Sequence, residues 1–247
     1  MTERSLTGRK AIVTGASAGI GRETVRQLAA EGADVALAAR RTDRLERLAT
    51  EIEDEHGIEA PVVPTDVTEP NEVETLIDTA AEQFGQIDVV VANAGIGRSD
   101  PVAELSTEDY RAMMAVNVDG AFFTARAAIP HLEDTSGTLI FVGSFAGQYP
   151  RPGNPVYAAT KWWLRGFALS LAGQIGEDGI GVSVVNPTEV RTEFGDPDAD
   201  PMKESYAPGS VTEPEEVAEA IAYAAGEGPP NSVTELNLYR RDKFEHF

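Results

Sequence analysis

Tyr157 and Lys161 stand four positions apart, with Ser144 a short way upstream. On a helix that spacing puts the two side chains one turn apart on the same face, so the Lys161 ammonium can sit near the Tyr157 phenol. A free tyrosine titrates near ~10, so acid or base work at neutral pH needs positive charge beside the phenolate. The pair could make tyrosine a proton donor and acceptor, and Ser144 could hydrogen-bond the same substrate oxygen.

A second chemical pattern is the stretch Thr14-Gly15-Ala16-Ser17-Ala18-Gly19-Ile20-Gly21. Glycines at Gly15, Gly19 and Gly21, between an apolar run and a helical pattern, permit a tight turn. They also let a pyrophosphate approach backbone N–H groups at a helix N-terminus. The spacing differs from the general Gly-x-Gly-x-x-Gly fingerprint, and glycine there also serves plain helix–strand packing. The same residues read as the Gly-x-Ser-x-Gly elbow of a serine hydrolase built on Ser17. That alternative needs a downstream acid and histidine, and the histidines available are His56, His131 and His246.

These residues must be held by elements, and the sequence supplies alternating ones. Strands are expected at 11–14, 35–39, 61–64, 88–92, 138–143, 181–186 and 233–238. Helices are expected at 20–31, 42–56, 70–84, 107–132, 155–177 and 214–225. Short β-branched runs between helical patterns imply a parallel sheet with right-handed crossovers. The expected fold is an α/β, doubly wound, seven-stranded Rossmann-like sheet in a single domain over 1–247. Thr212-Glu213-Pro214-Glu215 has the form of a capping box for the last helix. The long irregular stretch Thr188 to Val211, rich in Pro, Asp and Gly, has the length of a substrate-binding loop or lid.

Composition bounds the rest. The chain has 247 residues and 42% hydrophobic content, enough for one substantial core. It has no cysteine, which excludes disulfides and thiolate chemistry, and its histidines are scattered. No metal site is expected, although carboxylates alone could hold Mg²⁺. No apolar run is long enough for a membrane span and Met1 to Lys10 lacks a signal-peptide core, so a soluble cytoplasmic protein is expected. The net charge of -21 argues against nucleic acid and anionic membranes as partners. Among the basic residues only Lys10, Lys161, Lys203 and Lys243 are lysines. Such an excess of acid with so little lysine looks halophilic, since concentrated salt screens the self-repulsion.

In order and spacing, Thr14-Gly15-x-x-x-Gly19-x-Gly21, Asp66-Val67, Asn93-Ala94-Gly95, Asn117, Ser144, Tyr157-x-x-x-Lys161 and Asn186-Pro187 followed by Val190-Arg191-Thr192 resemble the single-domain short-chain dehydrogenases/reductases. The resemblance covers nearly the whole chain. It implies that Gly15, Ser17, Gly19, Ile20 and Gly21 bind a nicotinamide dinucleotide. It further implies that Asp66 and Val67 meet the adenine, and that Asn93, Ala94 and Gly95 line the switch-point crevice. Pro187, Val190 and Thr192 would meet the nicotinamide end, Lys161 the ribose hydroxyls, and Asn117 would anchor a water linking Lys161 to solvent. Tyr157 would exchange the proton and Ser144 hold the substrate oxygen during hydride transfer. Asn186-Pro187-Thr188 stands where the family usually has Pro-Gly, which leaves the backbone beside the carboxamide open.

At the end of the second strand, Ala39 leaves room and Arg40 and Arg41 offer cationic forks suited to a 2′-phosphate. NADP is therefore expected over NAD, with Ala18 standing where many NADP-preferring relatives have a basic residue. The implied activity is interconversion of a secondary alcohol or hydroxy acid with its carbonyl. A dinucleotide-binding sensor or scaffold without turnover is the rival. The resemblance and the apolar residues Ala121, Phe122, Ala125, Ile129, Trp162, Trp163, Phe167 and Leu171 imply a homotetramer built on the two long helices.

Overall fold

The computed structural model describes residues 6–195 and 201–244. Seven parallel strands form one sheet in the order β3-β2-β1-β4-β5-β6-β7. They are β1 (Lys10–Thr14), β2 (Asp34–Ala39), β3 (Val62–Pro64), β4 (Val89–Ala92), β5 (Thr138–Val142), β6 (Gly181–Pro187) and β7 (Glu235–Leu238). The strand order reverses between β1 and β4, which opens a crevice at their carboxyl ends.

Helices cover both faces. On one side Val25 and Leu28 of α1 (Gly19–Ala30), Leu45 and Ile52 of α2 (Thr42–His56) and Val217 and Ile221 of α8 (Pro214–Ala225) pack with Ala11 and Val13 of β1. On the other, Leu76 of α3 (Pro70–Phe84), Ala128 of α5 (Gly120–Thr135) and Leu164 of α6 (Pro155–Ile175) pack with Ile12. Alternate β1 residues thus serve opposite cores, as a strand's two-residue period requires.

The structure departs from the sequence expectation at three places. The helix expected over 107–132 is α4 (Thr107–Met114), a wide π-turn over Ala115–Asp119, and α5. Asn117 sits in that turn with its side-chain amide tied to the backbone of Ile96, and a Cβ on Gly120 would meet Val67 at 2.8 Å. An extra residue in the turn lets both contacts form, a common use of π-bulges. The capping box lies one residue later than expected. Glu213 caps α8 with Glu216 as its reciprocal partner, because Pro214 occupies the first helical position. Finally, the 188–211 stretch contains a short helix, α7 (Met202–Ser205), and a bridge between Val190 and Thr212. No helix among the described residues is long and apolar enough to cross a membrane.

Candidate active site

A cavity of about 610 Å³ opens over the carboxyl ends of β1, β2, β4, β5 and β6. Its floor at one end is the β1–α1 turn. Gly15 and Gly19 take positive φ of 67° and 53°, conformations open to glycine at no steric cost. Ala18, at the N-cap of α1, has no side chain able to cap, and the first turn carries no acidic residue. The first N–H groups of α1 therefore lack a side-chain partner and the helix dipole meets them there, which is an anion site. Gly15, Ser17, Ala18, Gly19 and Ile20 line the cavity.

Gly21 does not line it. A Cβ there would fall 2.4 Å from both Asn93 Nδ2 and the Gly15 carbonyl oxygen, so this glycine serves close packing of α1 on β4. Asn93 Nδ2 donates to the Thr14 carbonyl at 2.8 Å, and Thr14 Oγ1 accepts from the N–H groups of Asn93 and Ala94. This ladder fixes the glycine turn to the end of β4. Asn93, Ala94 and Gly95 all border the cavity.

Ser144, at the end of β5, and Tyr157 and Lys161, on α6, form its far end. Gly143 must be glycine, since a Cβ would lie 2.1 Å from Asn186 Oδ1. That oxygen accepts the Ser144 N–H at 3.2 Å, while Asn186 Nδ2 donates to Glu235 and Asn237 at 3.1 and 3.0 Å. Asn186, before the proline, thus puts a buried amide where it anchors the Ser144 backbone, in a network reaching β7. Lys161 is buried, its ammonium donates to the Val142 carbonyl at 2.8 Å and lies 5.9 Å from the Tyr157 ring centroid.

Burial dominates the titration of both groups. It pushes the Tyr157 phenol up to about 12, against a hydrogen bond with Ser144 and the positive field of Arg151, which pull it down. It pushes Lys161 down to about 8. For Tyr157 the surrounding protein favours the uncharged phenol more than Ser144 and Arg151 favour the charged form.

Asn117 does not line the cavity. Its Oδ1 accepts the Ile96 N–H at 2.9 Å, and Nδ2 donates to the Ile96 carbonyl at 2.9 Å and to Thr160 Oγ1 at 3.0 Å. Those contacts tie the loop after β4 to α6, beside the Tyr157–Lys161 turn. The other end of the cavity is cationic. The Arg40 side chain is 71% exposed and lies 3.7 Å from Asp66, whose other oxygen accepts from Thr68. Arg41 donates twice to Ser17 Oγ, at 3.1 and 2.9 Å. Neither His56 nor His131 borders the cavity and His246 lies outside the described residues. The hydrolase reading of Ser17 therefore finds no base among the described histidines.

Pro187, the last residue of β6, and Val190 and Thr192 from the segment after it reach the cavity, with Thr192 under 3.3 Å from the position of a Gly19 Cβ. Several residues there gave no sequence signal. Glu193 pairs with Arg44 at 2.7 Å, Lys203 at 3.3 Å and Arg41 at 3.7 Å, and Arg44 foremost holds its carboxyl down at about 2. Phe194 lies over Tyr157, ring centroids 5.7 Å apart. Arg151 and Glu189 line the cavity as well. None sits in a local motif, and only the fold brings them together.

Comparison with known proteins places this arrangement. The short chain dehydrogenase family profile matches residues 9–202. An uncharacterized oxidoreductase of Staphylococcus saprophyticus is 35% identical over 233 residues, 91% of this chain and 93% of that protein. The structure of an alcohol dehydrogenase from the archaeon Thermococcus sibiricus, complexed with 5-hydroxy-NADP, superposes with a TM-score of 0.86 at 34% identity, covering 93% of this chain and 95% of that one. A 3-ketoacyl-(acyl-carrier-protein) reductase from Brucella melitensis, complexed with NADH, gives 0.84 at 28% identity over 95% and 98%. With the family profile matching residues 9–202 and a relative 35% identical over nine tenths of both chains, this chain belongs to the short chain dehydrogenase family of oxidoreductases.

Proposed function

We propose that the protein is an NADP-dependent oxidoreductase that interconverts a secondary alcohol or hydroxy acid and its carbonyl, with Tyr157 as acid and base. The observation that carries the reading is a single cavity with the uncapped N-terminus of α1 at one end and Ser144, Tyr157 and Lys161 at the other. The residues present fit a dinucleotide. The glycine cradle admits a backbone-close pyrophosphate, and Gly95, whose Cβ position lies 3.7 Å from Lys161 Nζ, leaves room at the ribose end. When bound, the nicotinamide supplies or accepts the hydride.

The chain's own residues do the rest. Tyr157 carries a proton on its phenol oxygen and gives it to the carbonyl oxygen being reduced. Ser144 hydrogen-bonds the same oxygen, which orients the carbon. Lys161 keeps a positive charge one turn below, favouring the phenolate that Tyr157 becomes. Asn117 and Asn186 act through others: Asn117 positions α6 against the β4 loop, and Asn186 holds the Ser144 backbone.

The preference for NADP is supported by Ala39, Arg40 and Arg41, which put no acidic residue at the end of β2 itself and set two guanidinium groups against the nearby Asp66 and Glu193, each 3.7 Å from one of them. The ligand of the archaeal alcohol dehydrogenase agrees. The Brucella reductase binds NADH on the same fold, so the choice rests on these side chains. The segment 188–211 is proposed as the lid. Phe194 covers Tyr157 from it and Glu193 latches it to α2. A panel of carbonyls with NADPH and alcohols with NADP, followed by absorbance at molar KCl, tests the reading. Turnover of a carbonyl is the expected result, and cofactor binding without turnover of any would reject it.

A further inference from the structure

The catalytic end of the cavity carries a cation that the mechanism above does not use. Arg151 lines it together with Tyr157, and its guanidinium makes no hydrogen bond among the described residues. Its one ionic contact is loose, 3.5 Å to Glu189 Oε1, and the guanidinium carbon lies 5.9 Å from the Phe145 ring centroid. Glu189 serves two cations, because the same Oε1 is taken by Lys243 at close range, while its Oε2 is buried with no hydrogen-bond partner among the described residues. The local sum is two positive charges against one negative. Arg98, which also borders the cavity, is engaged by Asp109 at 2.8 Å and by the Gly97 carbonyl.

Arg151 shares its one carboxylate partner, Glu189, with Lys243, so these three groups leave one positive charge in excess beside the cavity. We propose that the substrate is an oxo acid or hydroxy acid whose carboxylate is held by Arg151. A guanidinium fork suits both carboxylate and phosphate. One excess positive charge matches a carboxylate better than a phosphate carrying about -1.5 to -2. The aromatic walls, Phe145 beneath Arg151 and Phe194 over Tyr157, suit the short apolar skeleton between the two functional groups. Arg151 and Tyr157 line the same cavity, which puts the anchor and the acid in one space.

The inference rests on the alcohol and carbonyl reading, and its test separates the two. A short series of straight-chain oxo acids is compared with their methyl esters, with NADPH, in wild type, Arg151→Gln and Arg151→Lys. Losing a charge-assisted hydrogen bond should raise KM for the acids about 10- to 100-fold relative to KM for the esters, while any change in kcat through the Tyr157 phenol falls on both series alike. Arg151→Lys should restore part of the acid preference. An acid-to-ester ratio of kcat/KM that is the same in wild type and Arg151→Gln overturns the proposal, and so does a preference for the matching phosphate-bearing ketones. If neither series is turned over, calorimetric binding of the same acids to the NADPH-loaded proteins decides. Binding lost in Arg151→Gln supports the anchor, while equal or absent binding overturns it. Failure of the activity reading shows differently, as Tyr157→Phe turning over acids and esters alike.

Discussion

At the scale of single residues, the account turns on two buried groups whose charged forms the protein disfavours. Tyr157 is pushed up to about 12 and Lys161 down to about 8, both foremost by burial. Reduction needs the protonated phenol, which persists far above neutrality, and it needs the Lys161 charge as the phenolate forms. Reduction kcat/KM should therefore be level below pH about 8 and fall above it as Lys161 loses its proton. Oxidation starts from the phenolate and should rise with pH. Profiles measured in both directions check this, and Lys161→Met should lower the reduction plateau and remove the fall near pH 8. A reduction rate that climbs steadily through that range would contradict it. Ser144, Tyr157 and Lys161 were legible because helical spacing and a motif carry them. Arg151 was not, and Asn186 was visible only as part of a motif, its role as the anchor of Ser144 being hidden, since the partners of both lie far off in sequence and nothing local marks such contacts.

At the scale of elements, the sheet and most helices were readable from hydrophobic period and flanking glycines. The π-turn at Ala115–Asp119 was not, because the period of α4 and α5 runs almost unbroken while the extra residue answers to Ile96 and Val67, distant in sequence. The cofactor end was half legible. Arg40 and Arg41 were visible, whereas Arg44 and its pairing with Glu193 came only with the fold. Replacing Arg40 and Arg41 with alanine should raise KM for NADPH by about tenfold or more, as expected for charged contacts, and change that for NADH little. Equal shifts would give the arginines another role. The latch from Glu193 to α2 also predicts behaviour of the lid. Protease should cut within 188–211, faster in Glu193→Gln than in wild type and slower when NADP and substrate are added. Cleavage unchanged by either would remove the reason to treat the segment as a lid.

At the scale of the whole molecule, charge and surface dominate. Exposed faces are strongly acidic, as with Glu46, Glu51, Glu53, Asp54 and Glu55 on α2 and Glu72, Glu74, Asp78 and Glu82 on α3. If this is adaptation to salt, the thermal midpoint should rise from low to molar KCl, with most of the gain once the Debye length nears 3 Å at about 1 M. A flat or falling midpoint would contradict that. The aromatic surface of α5 and α6 is continuous: Trp163 stacks on Phe167 at 4.9 Å, Phe122 packs on Phe167 at 6.2 Å, and Trp162 is 46% exposed. Ala125 and Leu171, counted in the sequence as surplus for an interface, are buried in this chain's own core. The remaining aromatics still support a two-fold helical contact, which light scattering in the same salt series would report as a tetramer, and a monomer would reject. The central claim is that the whole fold converges on one proton carried by Tyr157. It is tested most directly by Tyr157→Phe, with turnover measured beside NADPH binding in the same preparation. The account predicts turnover reduced by about 10² to 10⁴ with cofactor affinity kept, as for the loss of an acid/base group; turnover near that of wild type would contradict it.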